Sequence, residues 1–102
     1  MQKHTKIYLE KVQDPVCEYC YVKFLAPTPC DDVHHIHARG MGGSKKRDHI
    51  ENLMGMCTKH HLEFGDKTNH KKMLLEVHER FLKDQKITFN QDWIEAEKLK
   101  YD

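Results

Sequence analysis

Two short motifs of metal-ligand residues divide this chain of 102 residues. Cys17 and Cys20 are separated by two residues, and Cys57 and His60 have the same spacing. One such pair is weak evidence, but two matching halves supply the three thiolates and one imidazole of a closed tetrahedral zinc site. Because the halves need only be adjacent in the fold, we predict a structural Cys3His zinc site that joins them.

The length of the chain makes such a site important. A single domain of this size is near the small end of what buries an adequate core alone. Hydrophobic residues make up 38% of the chain and charged residues 32%, so we expect a small core. A bound metal adds folding free energy to a core of this kind. We predict one domain over 1–102, with its core in 14–84 and a helical tail in 85–102.

The cysteines also bear on the compartment. In a secreted protein four cysteines could form a disulfide framework. The sequence has no export signal and no apolar run near the ~20 residues of a membrane span, so we expect a cytoplasmic protein without membrane contact, where such cysteines bind metal. Cys30 belongs to no paired motif. It could replace His60 as the fourth ligand or remain a buried thiol.

The segment between the two halves is predicted to be mainly β-structure. Apolar residues favour one strand over about 31–38 and a second strand over 52–57. A glycine-rich basic loop connects them. A helix is expected to begin near Lys59, with Thr58 as its N-cap.

Outside the segment between the two metal-ligand pairs, the sequence predicts helices and strands less clearly. Residues 4–13 leave helix and strand open, and 21–25 favour a short strand or a packed turn. A second helix is predicted over 69–84 and a short helix from Asn90. The apolar stripe of the second helix, typical of a core-facing helix, consists of Met73, Leu74, Val77, Phe81 and Leu82.

Three histidines occur within four positions of the first predicted strand: His34, His35 and His37. Side chains alternate across a strand. His34 and His35 therefore face two ways unless twist brings both into one cleft. A histidine-rich surface strand is the simpler interpretation of this segment alone. The residues that follow this strand in the sequence favour a functional role for these histidines.

Those residues complete a β–β–α pattern. His34 and His35 lie on the first strand, Asn52 opens the second, and His61 follows nine residues later, directly after His60. Together with the two metal-ligand halves, this pattern resembles the HNH (His-Asn-His) endonuclease family. The resemblance covers 17–61 closely and the downstream helix loosely. It implies an α+β fold of the ββα-metal type, with a two-stranded antiparallel sheet plus helices, stapled by a structural zinc.

The resemblance also implies roles for individual residues. His34 and His61 would bind a catalytic divalent cation, and His35 would be the general base, which suits a side chain with a pKa near 6.5. Asn52 would tie the glycine-rich loop to the strands and orient His35. The implied activity is metal-dependent hydrolysis of DNA phosphodiester bonds, leaving 5′-phosphate and 3′-hydroxyl ends. Two imidazoles favour Mn²⁺, Ni²⁺ or Zn²⁺ over Mg²⁺, although availability favours Mg²⁺ or Mn²⁺.

Some positions depart from the family pattern. Ala38 stands where many members have proline, and Gly65 stands where some have a further metal-binding histidine. Without a histidine at position 65, the catalytic cation would have few protein ligands. His37, His70 or Asp66 could add one. The remaining histidines are assigned to surface or packing positions: His4, His49 and His78.

The net charge of +1 does not by itself indicate nucleic-acid binding, but its distribution does. Residues 34–56 carry four basic and two acidic side chains, and 57–72 carry the same numbers. From residue 73 onward, five basic side chains face seven acidic ones. A basic surface of this kind can grip the DNA backbone without reading its sequence. The candidate DNA-binding residues are Arg39, Lys45, Lys46, Arg47, Lys59 and Lys67.

Two alternatives to a nuclease stay open. One is a non-catalytic, zinc-stabilised module that binds nucleic acid. The other is a structural zinc adaptor that binds protein through its tail helix. The joint presence of His34, His35, Asn52 and His61 argues against the first, in which the histidine pair would be vestigial. A monomer would nick one strand, whereas a two-fold dimer could cut both. Other DNA-processing proteins are candidate partners.

Overall fold

A computed structural model describes residues 2–37, 47–65 and 67–101 of the chain. It has an α+β architecture in which helices surround one two-stranded antiparallel sheet. The strands are β1 (Asp32–His35) and β2 (Leu53–Met56). The α-helices are α1 (Lys3–Lys11), α2 (Glu18–Phe24), α3 (Thr58–Phe64), α4 (Lys71–Asp84) and α5 (Gln91–Lys100). Short 3-10 turns at Ile50–Asn52 and Thr68–His70 precede β2 and α4.

The sheet confirms both predicted strands, which are shorter than expected. Asp32 pairs with Met56 at one end and His35 with Leu53 at the other. All four residues of β2 are buried. At Gly55 this burial demands the absence of a side chain, because a Cβ atom there would lie 2.9 Å from the Cys30 sulfur and 2.9 Å from the Tyr8 hydroxyl.

Helix α2 corrects the expectation of a strand or turn over 21–25. It begins directly after Cys17 and ends at Leu25, whose φ of 53° is left-handed. A short apolar run cannot distinguish helix from strand by its period. The open choice over 4–13 is also resolved as helix, because α1 buries Tyr8 against the sheet.

The start of α3 differs from the prediction as well. Thr58 is the first helical residue, and Cys57 occupies the N-cap position without a side-chain cap. The carboxylate of Asp31 takes over the capping role. Its Oδ2 accepts hydrogen bonds from the Thr58 N–H at 2.9 Å and from the Thr58 hydroxyl at 3.1 Å. The residue before β1 therefore ties the sheet to α3.

The two C-terminal helices match their predictions. Helix α4 begins two residues later than expected and buries Leu74, Val77, Phe81 and Leu82 of the predicted stripe. Asn90 caps α5, since its side chain accepts a hydrogen bond from the Trp93 N–H at 3.1 Å. Within the described residues, none of the helices has the length and apolar character that crossing a bilayer requires.

The buried apolar side chains extend beyond the range predicted for the core. Tyr8 and Val12 come from the N-terminal side and Ile94 from α5, and all three are buried. They pack with Leu53 and Phe81 in one cluster. Both terminal helices therefore contribute to the core.

A buried polar network crosses this core. Glu18 and His78 are both fully buried. The Glu18 carboxylate accepts hydrogen bonds from the Tyr8 hydroxyl and, at 3.1 Å, from the Gly55 N–H. Its other oxygen lies 2.6 Å from Nδ1 of His78. The network connects α1, α2, β2 and α4.

The hydrogen bonds of His78 fix its charge. Nδ1 faces the Glu18 carboxylate and Nε2 lies 2.6 Å from the Ile50 carbonyl oxygen, so both ring nitrogens must donate. His78 is therefore an imidazolium in a buried ion pair, not the surface or packing histidine expected from sequence. Burial opposes the charge, but Glu18 and the Ile50 carbonyl raise the pKa of His78 above its ordinary value.

We expect Glu18→Gln to lower the free energy of unfolding by about 3–5 kcal/mol, because it leaves the His78 charge buried without a counter-charge. The raised pKa of His78 in the folded state sets the pH dependence. The pair contributes fully below the ordinary histidine pKa of about 6.5, and the contribution is lost as pH rises through the raised value. Urea denaturation of both proteins from about pH 5 to about pH 9 measures this difference.

The matched control is Glu76→Gln, an exposed carboxylate on α4. We expect it to change stability by less than about 0.5 kcal/mol at any pH. Comparing variants at each pH cancels the titration of other groups. A Glu18→Gln difference that does not shrink at high pH would contradict the ion pair.

Candidate metal centre and histidine site

The starts of α2 and α3 bring the predicted Cys3His group together. Cys17 and Cys57 hold the N-cap positions of these helices, and Cys20 and His60 lie three residues further on, in the first turns. Each pair therefore projects from one side of a helix start. The fold places the two starts face to face. The two-residue spacing in the sequence thus reflects one local geometry used twice.

The distances within the group fit a single metal ion. Nδ1 of His60 lies 3.8, 3.3 and 3.2 Å from the sulfurs of Cys17, Cys20 and Cys57. All four ligand atoms lie within 4.8 Å of one another. Thiolate and imidazole ligands of one tetrahedral zinc, with bonds of about 2.3 and 2.0 Å, would be about 3.5 Å apart. The group can therefore hold a metal ion.

The electrostatics of the group also fit a cation. Burial raises the pKa of the Cys17 thiol to about 12. Burial also acts to raise the pKa of the Cys57 thiol. Hydrogen bonds from the backbone N–H of His60 and from the neighbouring thiols outweigh burial and lower this pKa overall. Burial also lowers the pKa of His60, which favours the neutral, metal-binding imidazole. A positive ion at the centre would stabilise thiolates that burial otherwise disfavours.

Cys30 is not part of this group. Its sulfur donates to the Asp32 carbonyl oxygen at 3.3 Å, beside β1. The alternative in which Cys30 replaces His60 is therefore wrong, since His60 occupies the fourth position.

The predicted cation ligands His34 and His61 also meet. His34 lies on β1 and is 5% exposed, and His61 lies on α3. Their ring centroids are 4.8 Å apart and the ring planes cross at 55°. Asp32 joins them, with its Oδ2 atom 3.2 Å from Nδ1 of His61. Successive residues of a helix point about 100° apart, so His60 faces the thiols while His61 faces the sheet.

The His35 side chain projects from the opposite face of β1. Its Nε2 atom lies 2.7 Å from Oδ1 of Asp48, whose side chain is 3% exposed. The His4 ring of α1 packs against it with a centroid distance of 4.3 Å. His34 and His35 therefore do not share one face of the strand, which is the first of the two arrangements that alternation allowed. Sequence analysis predicted neither of these contacts of His35, with Asp48 or with His4.

Asn52 is fully buried and holds backbone on both sides of the predicted glycine-rich loop. Its Oδ1 accepts from the His37 N–H at 2.8 Å. Its Nδ2 donates to the carbonyl oxygens of His37 and Arg47, each at 3.0 Å. This is the tie between loop and strands expected of Asn52. The Asn52 Oδ1 atom contacts the His37 N–H, whereas the side chain that contacts the His35 ring at 2.7 Å is Asp48.

The predicted DNA-binding residues lie in different surroundings. Arg39, Lys45 and Lys46 are outside the described residues. Lys59 and Lys67 are exposed. Arg47 is half-buried, with a guanidinium nitrogen 3.8 Å from Oε1 of Glu97.

Glu97 is a second carboxylate that sequence analysis missed. It is buried on α5, and its Oε2 lies 3.4 Å from Nδ1 of His37. Of the residues proposed as additional cation ligands, His37 is therefore engaged by Glu97. The ring of His70 packs edge-on against Phe64, 5.0 Å away. Asp66 is outside the described residues.

Comparison with protein-family models, with curated proteins and with solved structures finds no match to this chain. The function must therefore be inferred from the geometry of the site.

We expect Asn52→Ala to lower the free energy of unfolding by about 2–4 kcal/mol, because it leaves polar backbone groups of His37 and Arg47 without their partner. Asn52→Asp should cost at least as much, since it turns a carboxylate oxygen toward two carbonyl oxygens. Urea denaturation measures both changes. Asn69→Ala, at an exposed position, is the matched control. Equal effects at positions 52 and 69 would contradict a structural tie.

Proposed function

We propose that this chain is a metal-dependent DNA endonuclease of the HNH type, with a ββα-metal fold stapled by zinc. It would hydrolyse phosphodiester bonds to 5′-phosphate and 3′-hydroxyl ends. The observation that carries the proposal is the meeting of His34 and His61 between β1 and α3. In support, β1, β2 and α3 follow one another in the chain as a β–β–α unit.

The Cys3His group is proposed to bind a structural zinc. The donor set leaves no open position for a substrate, which is typical of structural sites. Its role would be to hold the start of α3 against α2. Because His61 directly follows the ligand His60, the zinc would also fix the side of α3 that faces β1.

His34 and His61 are the proposed ligands of a catalytic cation. Their ring separation of 4.8 Å supports this fit. An imidazole centroid lies about 3.2 Å from a bound ion, so two such ligands are about 4.5–5 Å apart. When bound, a divalent cation would orient the scissile phosphate and stabilise the charge that develops on the leaving 3′-oxygen. Mn²⁺, Ni²⁺ and Zn²⁺ suit imidazole ligands better than Mg²⁺ does.

His35 is the proposed general base. The hydrogen bond between Nε2 and Asp48 would orient the imidazole that takes the proton from the attacking water. Asp48 would also stabilise the imidazolium that forms. His35 is the last residue of β1, so a phosphate at this end of the strand could meet side chains from both faces.

Basic side chains would hold the DNA backbone. Lys59 and Lys67 are exposed near α3. Arg47 would contribute less, because Glu97 already engages its guanidinium. Contacts of this type carry no sequence information, so we expect binding that weakens with salt.

A second candidate function is a non-catalytic, zinc-stabilised module that binds nucleic acid. One observation favours it: the proposed base and the proposed cation ligands lie on opposite faces of β1. In such a module the His35 and Asp48 pair would be structural.

Nicking of supercoiled plasmid with Mg²⁺, Mn²⁺ or Ni²⁺ distinguishes these two functions. We expect the wild type to nick DNA and His35→Ala to lower the rate by about 10²–10⁴-fold, the usual contribution of a general base. Asp48→Asn should lower it by about 10–100-fold, as for a partner that orients a functional histidine. DNA binding, measured in parallel by gel shift, should be unchanged in both variants.

The matched control for the nicking assay is His70→Ala, a histidine to which the proposal gives no role in catalysis and whose ring packs edge-on against Phe64. Its rate should stay within about twofold of the wild type. If wild type and His35→Ala both bind DNA but neither nicks it, the module replaces the nuclease. If the protein neither nicks nor binds DNA, both functions are wrong.

Metal analysis tests the structural zinc. We expect the purified protein to carry zinc and Cys17→Ser to lose about one equivalent together with much of its stability, because binding free energy is folding free energy in such sites. Cys30→Ser is the matched control and should keep its zinc. Unchanged zinc in Cys17→Ser, or an equal loss in both variants, would refute the site.

A further inference from the structure

Within the part of the chain that the structure describes, the proposal so far gives the cation two protein ligands, His34 and His61. Of the other residues that sequence analysis offered, His37 contacts Glu97 and His70 packs on Phe64, and Asp66 is outside the described residues. Asp32, which sequence analysis did not consider, lies beside His61. We propose that Asp32 is the third protein ligand, so that the site consists of two imidazoles and one carboxylate. This inference rests on the cation site of the proposed function.

The strand geometry puts Asp32 on the correct face. Asp32 and His34 are two residues apart on β1, so their side chains project from the same side of the sheet. Helix α3 lies against β1 and brings His61 to that side. The three ligands thus come from β1 and α3, which the contacts of Asp31 with Thr58 tie together.

The separations match those of ligands that share one ion. Oδ2 of Asp32 lies 3.2 Å from Nδ1 of His61. Two atoms bound at about 2.1 Å and roughly at right angles around a cation are about 3.0 Å apart. No large movement is needed to place an ion between them.

The carboxylate of Asp32 is already oriented for this role. Its Oδ1 accepts from the Val33 N–H at 2.9 Å, while Oδ2 faces His61. The neighbouring Asp31 is used differently, because both its contacts go to Thr58 at the start of α3. Of these two adjacent carboxylates, only Asp32 has an oxygen beside a predicted cation ligand.

The exposure of the three side chains suits a catalytic rather than a structural ion. His34 is 5% exposed, His61 is 29% exposed and Asp32 is 53% exposed. The buried imidazole would anchor the ion, and the open side would leave positions for water and a phosphate. A carboxylate adds negative charge, so a site with Asp32 should bind Mn²⁺ more tightly than a site of two neutral imidazoles alone.

Binding of Mn²⁺ to the zinc-containing protein tests the proposal without reference to activity. The electron paramagnetic resonance signal of free Mn²⁺ gives the Kd directly. We expect Asp32→Asn and Asp32→Ala to raise the Kd by at least about tenfold, and His61→Ala to do the same. Glu63→Gln removes one carboxylate charge from an exposed position of α3, two residues from His61, and should leave the Kd within about twofold. Zinc content and circular dichroism of each variant verify its fold.

The asparagine variant separates coordination from mere orientation of His61. An amide oxygen can still accept a hydrogen bond from the His61 ring, but it is a much poorer ligand than a carboxylate oxygen. If Asp32→Asn binds Mn²⁺ as tightly as the wild type, Asp32 is not a ligand.

The outcomes distinguish this inference from the proposed function. If His61→Ala weakens Mn²⁺ binding and the Asp32 variants do not, the inference is wrong and the nuclease proposal stands. An equal loss in Glu63→Gln would reduce the effect to nearby charge and also overturn the inference. If the wild type binds no Mn²⁺, the cation site and the nuclease proposal fail together.

Discussion

The contact between the starts of α2 and α3 is the constraint on which the rest of the structure depends. Both helices have seven residues, too few to be stable in isolation. Each presents two metal-ligand side chains at its start, and burial disfavours the Cys17 thiolate when no cation is bound. One ion shared by the four ligands would therefore stabilise both helices. It would also set the direction in which α3 presents His61 to β1.

The buried Glu18 and His78 pair strengthens the same region from the other side. Glu18 directly follows Cys17, so α2 carries a predicted metal ligand at its cap and a buried glutamate in its first turn. That carboxylate reaches α1 through Tyr8, β2 through Gly55 and α4 through His78. A buried ion pair contributes little net stability, but its hydrogen bonds are lost in any other packing. It thereby specifies how the helices sit around the sheet.

The site divides between the two faces of β1. One face holds His34 with His61 and Asp32, and the other holds His35 with Asp48. Carboxylates thus accompany histidines on both faces, which fits roles in cation binding and proton transfer. Asn52 and Glu97 hold the chain beyond β1, so a buried turn and the last helix both support the site.

The sequence by itself determined the features that depend on local spacing. These are the two metal-ligand pairs, the presence of two strands, the amphipathic α4 and the start of a helix at Asn90, because each depends on a short-range pattern within a few residues. Only the tertiary structure decided that 21–24 belong to a helix and that Asp31 caps α3. Only the tertiary structure showed that Asp48 contacts His35, that Glu97 contacts His37 and that Asp32 contacts His61. Those partners come from separate elements, up to 60 residues apart in the case of His37 and Glu97. No periodicity encodes such pairs, because they arise only when packed elements bring distant side chains together.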